Sequence, residues 1–518
     1  MTTNTARRAT GVHTWCGVRA AIAVAGVSMA LGVPAFAHEA TPRTLDTSGI
    51  DAFVVESMRD ALIPGLALAI VHDGAVIHLQ GYGRADPAGT PVTPETPFLI
   101  ASLSKPFTAL AVMQLAEAGA IDLDRPVTDY LPGFALADPV LSARITVRHL
   151  LDHTSGIPTG AESRVQTLHE PGTPVAETVA RMSRILPAGA PGEAYRYANV
   201  NYMVLGAVIQ SVSGLAYEDY LERHVFGPLG MRDSHLSLDA TDGGATGFRT
   251  WFGFPAPVDL PNRADTWASH GVASSVRDLS RLMLAFMDEG EFDGVRVLSR
   301  EGVAEMTTPS ASLSPWLAYG LGWFVTSGSV YHGGELTHFT ATMKILPEER
   351  LGVVLLFNTS ASTLTTLLRV GWRERIESGV INLLYGEDPH VAPPGASPWS
   401  LSRQPVAVAR AVLLVLVSLV LAYLGFAAVR TAAFGRRLAA GRRPSTPAVI
   451  AFGLVHVLVP IALLILVPRS ANATWREVLF YVPDAGGFAI FVSAALLLIA
   501  AIRVGVWARY MVADRSAS

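Results

Sequence analysis

The amino-acid sequence predicts an α+β fold, in which an antiparallel sheet is flanked by helices, followed by three transmembrane helices. Strand patterns lie near both ends of residues 44–390, helical patterns lie between them, and three apolar stretches close the chain of 518 residues. Strands at both ends with helices between them favour one sheet covered by helices. We therefore divide the chain into residues 1–37, 44–390, 391–404 and 405–511.

Residues 1–37 have the pattern of a secretory signal peptide. Arginines precede an uncharged apolar run, Ala20–Val33, and Ala35–Ala37 has the small-x-small form of a cleavage site. A retained membrane anchor needs roughly 18 apolar residues, and this run is shorter. Cys16 is the only cysteine and would leave with the peptide. The mature chain would then contain neither a disulfide nor a thiol nucleophile.

Two hairpins are predicted in residues 44–390. Gly65–Val71 and Ala75–Gln80 flank Asp73-Gly74, a residue pair suited to a tight turn. Thr340–Leu346 and Leu351–Phe357 form the second strand pair. We expect each hairpin to supply strands to one antiparallel sheet, and the first to form two neighbouring strands.

Two helices are predicted beside these strands. From Ser102 to Glu117 the apolar residues recur at helical spacing, with a serine at the start and Gly119 just beyond the end. Thr363–Leu384 has a similar pattern and would pack on the second hairpin.

The last part of the chain is predicted to cross a membrane. Ala411–Val429, Pro447–Val467 and Ala485–Ile502 are each close to the ~20 apolar residues that span a bilayer. Residues 391–404 are rich in proline and serine and have the composition of a linker. The membrane lipid bilayer is therefore an expected partner of this chain.

The arginines near these spans predict the orientation. Five arginines lie between the first two stretches, at positions 430 to 443, and three follow the third stretch. The positive-inside rule places both groups in the cytoplasm, so the large domain would lie on the extracytoplasmic side of the cell membrane. The signal peptide predicts the same topology independently.

His456 and Pro460 lie inside the second apolar stretch, where an ionisable group is costly. The plainer interpretation is that a neutral imidazole satisfies carbonyls freed by the proline. A relay or ligand role for His456 is the alternative.

The charge balance excludes one class of partner. The formal net charge is −4, and no basic stripe is visible in the central region. Binding to nucleic acid would call for such a stripe, so we expect no nucleic-acid partner.

Ser102 and Lys105 are the first candidates for chemistry. The segment Ala101-Ser-Leu-Ser-Lys105 places a hydroxyl at a helix N-terminus and an amine three residues on, along the same face. A serine hydroxyl is a poor nucleophile until a base takes its proton, and a desolvated lysine can serve as that base. The helix N-terminus would also favour an oxyanion.

The use of lysine in this chain strengthens that interpretation. Lys105 and Lys344 are the only lysines among 39 lysine and arginine residues. Arginine stays protonated, whereas a buried lysine can lose its proton. A lysine kept three residues after a serine therefore indicates a need for a titratable amine, and Lys344, which has no such neighbour, is expected on a strand face.

Four segments together resemble a known family. Pro97–Lys105 resembles the first motif of class C β-lactamases and of related penicillin-binding proteins and esterases, the SxxK serine hydrolases. Ile145–Pro158 resembles a segment usual in that family, Tyr197–Asn199 is similar to its Tyr-x-Asn motif, and Tyr331–Gly334 is similar to its third motif. The order and spacing match over about Asp51 to Tyr385. The resemblance implies a β-lactamase/transpeptidase-like sheet with a helical subdomain.

The resemblance also implies roles for individual residues. Ser102 would be acylated, Lys105 would share its proton, and Tyr197 would complete activation as a phenolate or proton relay. A neighbouring cation is expected to lower the pKa of that phenol. Asn199 would orient Lys105 or a substrate amide. Tyr195 and Tyr202 lie close in sequence to Tyr197, and packing is the plainer role for any one of them.

The third motif is expected to bind substrate through His332, Gly334 and Glu335. The backbone N–H groups of Ser102 and Glu335 would form the oxyanion hole, Glu335 being the residue after Gly334. His332 stands where related enzymes usually carry a lysine, and a histidine is only partly charged at neutral pH. Recognition of a substrate carboxylate would be weaker, which favours an esterase or peptidase over a β-lactamase.

Two further groups have open alternatives. His149 and His153 have the four-residue spacing of helical zinc ligands, but no glutamate accompanies them and Thr-Ser-Gly-Ile-Pro ends the helix, so we expect a structural role and no metal or cofactor. The aromatic run Trp251–Phe254 could line an acyl pocket or pack in a loop core.

The sequence therefore predicts a membrane-anchored serine hydrolase that acts through Ser102 on a small-molecule or peptide acyl substrate. The alternative is a catalytically weak protein that binds or senses penicillin or wall peptides. A transporter is disfavoured, because three spans show no charged pathway. The sequence does not indicate the oligomeric state or the substrate.

Overall fold

The computed structural model describes most of the chain outside its N-terminus. The described residues are 45–165, 175–236, 244–252, 254–258, 260, 264–360, 372–391, 406–442, 446–470, 475, 478–479 and 483–516. The predicted signal peptide, nearly all of the predicted linker and the first part of the helix predicted over Thr363–Leu384 lie outside these ranges. The chain divides into two compact units, one ending at Leu419 and the other beginning at Val420, and each has its own apolar core.

The first unit is built on an eight-stranded antiparallel sheet. Its strands, in the spatial order β2-β1-β14-β13-β12-β11-β10-β9, are all antiparallel to their neighbours. They comprise β1 Gly65–His72, β2 Ala75–Gly83, β9 Ala311–Ser314, β10 Leu317–Tyr319, β11 Phe324–Val325, β12 Val330–Glu335, β13 Thr340–Leu346 and β14 Leu351–Phe357. Short pairs outside the sheet are β3 Phe98–Leu99 with β6 Ala273–Ser274, β4 Gly247–Trp251 with β5 Phe254–Val258, and β7 Glu291–Phe292 with β8 Val295–Arg296.

Both predicted hairpins are confirmed. Strands β1 and β2 pair around Asp73-Gly74, whose φ angles of 47° and 80° are the left-handed values that a two-residue hairpin turn requires. Strands β13 and β14 have the predicted bounds. The pairing of β1 with β14 joins the two hairpins, so residues near the two ends of the unit lie side by side.

Helices cover both faces of this sheet. Along β1, Leu66, Leu68 and Ile70 face one cluster with α1 and α11, whereas the alternate alanines face the larger cluster that contains α2 and α9. The helices of the unit are α1 Ile50–Ala61, α2 Lys105–Glu117, α3 Pro139–Ser142, α4 Val147–Leu151, α5 Glu162–Val165, α6 Val175–Arg181, α7 Asn199–Ser213, α8 Tyr217–Leu221, α9 Val276–Met287, α10 Arg300–Thr307 and α11 Trp372–Leu384. The α+β prediction is therefore correct.

Toward its C-terminus, the described part of the chain has three helices that are long and apolar enough to cross a membrane. They are α12 Val406–Ala439, α13 Thr446–Ser470 and α14 Pro483–Ser516. The apolar spans within them are Leu413–Ala439, Val449–Arg469 and Pro483–Val512. The three predicted stretches thus correspond to one helix each.

His456 of α13 is buried between aromatic rings. Its Nδ1 donates to the Phe452 carbonyl over 2.9 Å, its ring stacks on Phe452 at 3.7 Å, and Nε2 lies 3.3 Å from the Tyr423 hydroxyl. The carbonyl that Pro460 leaves without an N–H partner is that of His456 itself, since an intrahelical bond joins residues four apart. The imidazole therefore bonds to a carbonyl of its own helix, but the expected partner is wrong, because this is not the carbonyl that the proline frees.

Candidate active site

Ser102 lies in a short 3₁₀ turn, Ala101–Ser104, that connects β3 to α2. The α-helix begins at Lys105, three residues later than the sequence predicts. Side chains three residues apart eclipse one another in a 3₁₀ turn, so the turn still directs both groups to the same side. Ala101 has φ 52°, a left-handed conformation that few side-chain-bearing residues adopt. The chain is therefore sharply bent just before the candidate nucleophile.

The amine of Lys105 is held by three oxygen atoms. Its Nζ lies 3.1 Å from Ser102 Oγ, 2.8 Å from Asn199 Oδ1 and 2.8 Å from the Ser269 carbonyl oxygen. Carbonyl oxygens can only accept hydrogen bonds. When the amine is neutral, its two protons are directed to Asn199 and Ser269. Its lone pair then faces the Ser102 hydroxyl.

Burial sets the protonation of this amine. Lys105 is fully buried, and burial lowers the pKa of its amine to about 7, against an opposing effect of the Glu162 carboxylate. The ring faces of Tyr197 and Tyr202, 4.8 and 5.6 Å away, favour the charged form. The neutral and charged forms are thus both populated near neutral pH, as the rarity of lysine in the sequence suggests.

Tyr197 is in contact with Ser102 but is not a phenolate. Its hydroxyl faces the Ser102 side chain, which acts to lower the pKa of the phenol. Burial raises the pKa of Tyr197 above its ordinary value of 10, and the effect of Ser102 offsets this only partly. The expectation that the neighbouring amine would lower this pKa is wrong, because the loss of hydration outweighs it. Tyr197 is a neutral hydroxyl that can accept one proton while passing on another.

Asn199, the first residue of α7, links Lys105 to a residue that the sequence analysis missed. Its Oδ1 accepts from Lys105, and its Nδ2 donates to Glu162 Oε1 over 3.2 Å. Glu162 opens the short helix α5, four residues beyond the family-like segment that ends at Pro158. Glu162 is the first acidic residue after that segment, and this was the available signal.

His153 lies behind Tyr197 and is fully buried. Its Nδ1 accepts from Asn201 Nδ2 at 2.9 Å and from the Ala198 amide at 3.3 Å, and its ring centroid lies 4.4 Å from that of Tyr197. Burial lowers the pKa of this imidazole well below 6.5, so it is neutral. The backbone of His153 has a left-handed conformation, with φ 61°.

The two histidines of this segment have different neighbours. Helix α4 ends at Leu151, so His153 does not share its face with His149. His149 instead belongs to a capping box with Thr146 at the start of that helix. The zinc-like spacing in the sequence is therefore broken by the end of the helix.

His332, on β12, is also buried and neutral. It is 1% exposed, its Nδ1 donates to the Gly333 carbonyl over 2.6 Å, and its Nε2 lies 3.0 Å from the Tyr319 hydroxyl. Burial, helped by the nearby Lys105, lowers the pKa of its imidazole to about 3. The expectation of a partly charged side chain at neutral pH is wrong, because the group cannot be hydrated.

The third motif lies against the nucleophile turn through Gly334. Strand β11 pairs only with Val330 and Tyr331, so the rest of this edge of β12 faces the turn. A Cβ atom on Gly334 would overlap the Ile100 carbonyl oxygen and lie 3.1 Å from the Ala101 Cβ. Only glycine permits this approach. Glu335 ends the strand with its side chain exposed.

The predicted site residues therefore meet in one place, where the 3₁₀ turn, α2, α7 and β12 converge. Lys344 lies outside this place. It is on β13, as expected for a strand residue, and forms an ion pair with Glu377 of α11.

Comparison with known proteins agrees with this arrangement. Residues 50–369, more than half of the chain, match the family model described as Beta-lactamase. The chain belongs to the Beta-lactamase family. Membership accounts for the sheet, for the helices that cover it and for the order of the four motifs along the chain.

Curated relatives of this Beta-lactamase family member include two kinds of protein. Protein flp of Staphylococcus aureus (strain MW2) is 28% identical over 342 residues, 64% of this chain and 66% of the relative. Penicillin-binding protein 4 of Amycolatopsis lactamdurans is 31% identical over 274 residues, 50% of this chain and 70% of the relative. The match thus spans just under two thirds of the length of Protein flp.

Solved structures also resemble this family member. The octameric penicillin-binding protein homologue from Pyrococcus abyssi is 29% identical, with a TM-score of 0.58 over 68% of this chain and 80% of that one. A class C beta-lactamase is 20% identical, with a TM-score of 0.54 over 65% of this chain and 93% of that one. The second likeness concerns the fold alone.

In this Beta-lactamase family member Trp251 and Phe254, from the aromatic run, form the last residue pair of the β4–β5 hairpin. Trp251 and Phe254 are 44% and 50% exposed, which rules out packing of these two side chains in a loop core. The hairpin lies beside the third motif, because Arg249 donates to Thr337 Oγ1 over 2.9 Å. The tip of the hairpin is an exposed apolar feature.

Proposed function

We propose that this protein is a membrane-anchored serine hydrolase that forms an acyl-enzyme on Ser102 with an ester, amide or peptide substrate. One observation carries the proposal: a buried amine with a pKa of about 7 lies 3.1 Å from the Ser102 hydroxyl, and its other polar contacts are two acceptors. This is what a general base for a serine nucleophile requires.

Acylation follows from this geometry. The neutral Lys105 amine takes the proton of the Ser102 hydroxyl as Oγ forms a bond to the substrate carbonyl carbon. The carbonyl oxygen becomes an oxyanion that the backbone N–H groups of Ser102 and Glu335 stabilise. When the tetrahedral intermediate collapses, the Lys105 ammonium returns the proton to the leaving group, and the Tyr197 hydroxyl relays it.

Deacylation uses the same groups in reverse. Once the leaving group has departed, Lys105 is neutral again and can take a proton from water through Tyr197. The hydroxide equivalent attacks the ester carbonyl, and the proton passes to Ser102 Oγ as the acid leaves. Asn199 keeps the Lys105 amine in place throughout, through its 2.8 Å contact.

The neutral state of His332 supports substrates without a carboxylate at that position. A buried imidazole with a pKa of about 3 and two protein partners offers no charge to an anionic group. We therefore favour esters and neutral amides over β-lactams. A β-lactam carries a carboxylate, and related enzymes commonly bind that group through a lysine.

The three apolar helices support attachment to the bilayer. The arginines at positions 430 to 443, in the last turns of α12 and just beyond it, and those at positions 503 to 515, toward the end of α14, favour a cytoplasmic location for those ends. The hydrolase domain would then act on the extracytoplasmic side of the cell membrane.

A covalent probe tests the proposal. Full-length protein in detergent is treated with a fluorescent fluorophosphonate and, separately, with a fluorescent penicillin. We expect fluorophosphonate labelling of wild type and of Ser312→Ala, an exposed serine on β9, but not of Ser102→Ala. Absence of fluorophosphonate labelling in wild type, or equal labelling of Ser102→Ala, would favour the weak binding protein instead. A panel of p-nitrophenyl esters, D-amino-acid amides and a cephalosporin then separates the substrate classes.

A further inference from the structure

Asn199 has a carboxamide whose two ends meet groups of opposite kind. Its oxygen faces the Lys105 amine at 2.8 Å, and its NH₂ group faces the Glu162 carboxylate at 3.2 Å. If the Asn199 amide were turned over, its N–H groups would face the Lys105 amine and its oxygen would face the Glu162 carboxylate. Both contacts would then be repulsive. The orientation of Asn199 therefore depends on Glu162.

We propose that Glu162 is a positioning residue for the base: through Asn199 its carboxylate fixes the place of the Lys105 amine, and it places a negative charge on that side of the amine. This inference rests on the proposed function, because it concerns the base of the same reaction. Glu162 acts through its neighbours and has no assigned contact with substrate.

The charges around Lys105 make Glu162 the group that opposes burial. Burial lowers the pKa of the amine, and the Glu162 carboxylate raises it. The other titratable groups that face Lys105 are His153, His332, Tyr197 and Tyr202, all of which burial keeps neutral.

The π-helical turn Trp267–Gly271 also packs against the Lys105 amine. Its Ser269 carbonyl accepts from Lys105, and the neighbouring His270 is directed to the Ser269 hydroxyl, with Nδ1 at 2.7 Å. This imidazole thus adjoins Ser269, one acceptor of the Lys105 amine, and Glu162 adjoins Asn199, the other carbonyl acceptor.

Two substitutions separate the orienting role from the charge. Glu162→Gln keeps a carbonyl oxygen that can accept from Asn199 Nδ2 but removes the negative charge. Glu162→Ala removes both. Glu177→Gln is the matched control, since Glu177 is an exposed carboxylate on α6 that pairs with Arg181 away from the Lys105 amine.

The experiment measures the rate constant of fluorophosphonate acylation of the full-length protein from about pH 5 to about pH 9. In wild type the rate rises as Lys105 loses its proton. For Glu162→Gln we expect the midpoint of this rise to move down by about one pH unit, with the plateau within about twofold of wild type. For Glu162→Ala we expect the same shift and a plateau lower by about tenfold, because Asn199 is no longer oriented.

The outcomes distinguish this inference from the function on which it rests. Midpoints and plateaus that match those of Glu177→Gln in both variants would overturn the inference, as would a loss of rate that is equal at every pH and accompanied by a lower melting temperature. If wild type itself is not acylated, the proposed function fails. A shifted midpoint in both variants with a lower plateau only in Glu162→Ala supports the inference.

Discussion

The Tyr319 hydroxyl lies 3.0 Å from Nε2 of His332 and donates to it, because the Nδ1 proton of that imidazole is directed to the Gly333 carbonyl. The histidine that replaces a family lysine is thus a neutral part of the core next to the nucleophile. Protonation of His332 therefore affects the stability of the fold rather than the binding of a charged substrate.

We expect the protein to lose stability in mild acid. Burial lowers the imidazole pKa of His332 and of His338 from 6.5 to about 3. Above pH 6.5 both imidazoles are neutral in the folded state and in the unfolded state. As the pH falls below 6.5, only the unfolded state gains protons, so each histidine lowers the free energy of unfolding by up to about 1.4 kcal/mol per pH unit.

Melting temperatures at about pH 7.5 and about pH 5 check this expectation. His338→Gln should reduce the difference between the two temperatures, whereas His390→Gln, at an exposed position, should leave it unchanged. Equal differences in wild type and His338→Gln would contradict the burial argument.

Removal of the base should abolish acylation. Lys105→Met keeps an unbranched side chain of similar length in the buried position but lacks an amine. We expect the acylation rate to fall by roughly 10²- to 10⁴-fold, the usual contribution of a general base. Stopped-flow fluorophosphonate labelling measures this, with circular dichroism as the control for folding. Retained wild-type rates in Lys105→Met would refute the assigned base.

The pH dependence of the wild-type rate should report the same amine. Because burial lowers the pKa of Lys105 to about 7, the neutral form, which is the base, predominates above that value. Acylation should therefore rise with pH through about 7 and then level off. A rate that falls with pH over this interval would contradict the assignment.

Tyr197→Phe should slow acylation without disturbing the fold. The phenylalanine ring retains the packing against His153 and loses only the hydroxyl that contacts Ser102. We expect roughly a 10²- to 10³-fold loss in turnover of p-nitrophenyl esters. The melting temperature should change little. The matched variant Tyr130→Phe removes a hydroxyl that bonds to the backbone of Asp122, and it should turn over esters like wild type.

Gly334→Ala should inactivate the protein, because the added Cβ would overlap the Ile100 carbonyl and push β12 away from the nucleophile turn. Gly328→Ala is the control, since a Cβ there meets no atom within 4 Å. Ester turnover by the two variants measures the effect. Activity in Gly334→Ala equal to that of the control would show that this close approach is not required.

Local patterns were sufficient for much of the fold. The turn at Asp73-Gly74 and the bounds of β13 and β14 follow from residue conformational preferences and alternation, which act over a few neighbours. The three apolar helices follow from length and hydropathy, which are also local properties. The start of α2 was misplaced by three residues, because the sequence does not distinguish a 3₁₀ turn from an α-helix.

By itself, the sequence determined which residue types were available: a serine and a lysine three apart, a tyrosine and an asparagine two apart, and a glycine in the third motif. Only the tertiary structure decided their protonation states and the part played by Glu162. Hydration is lost when distant segments pack together, so the neutral Tyr197 and the Lys105 amine with a pKa of about 7 are properties of the assembled core.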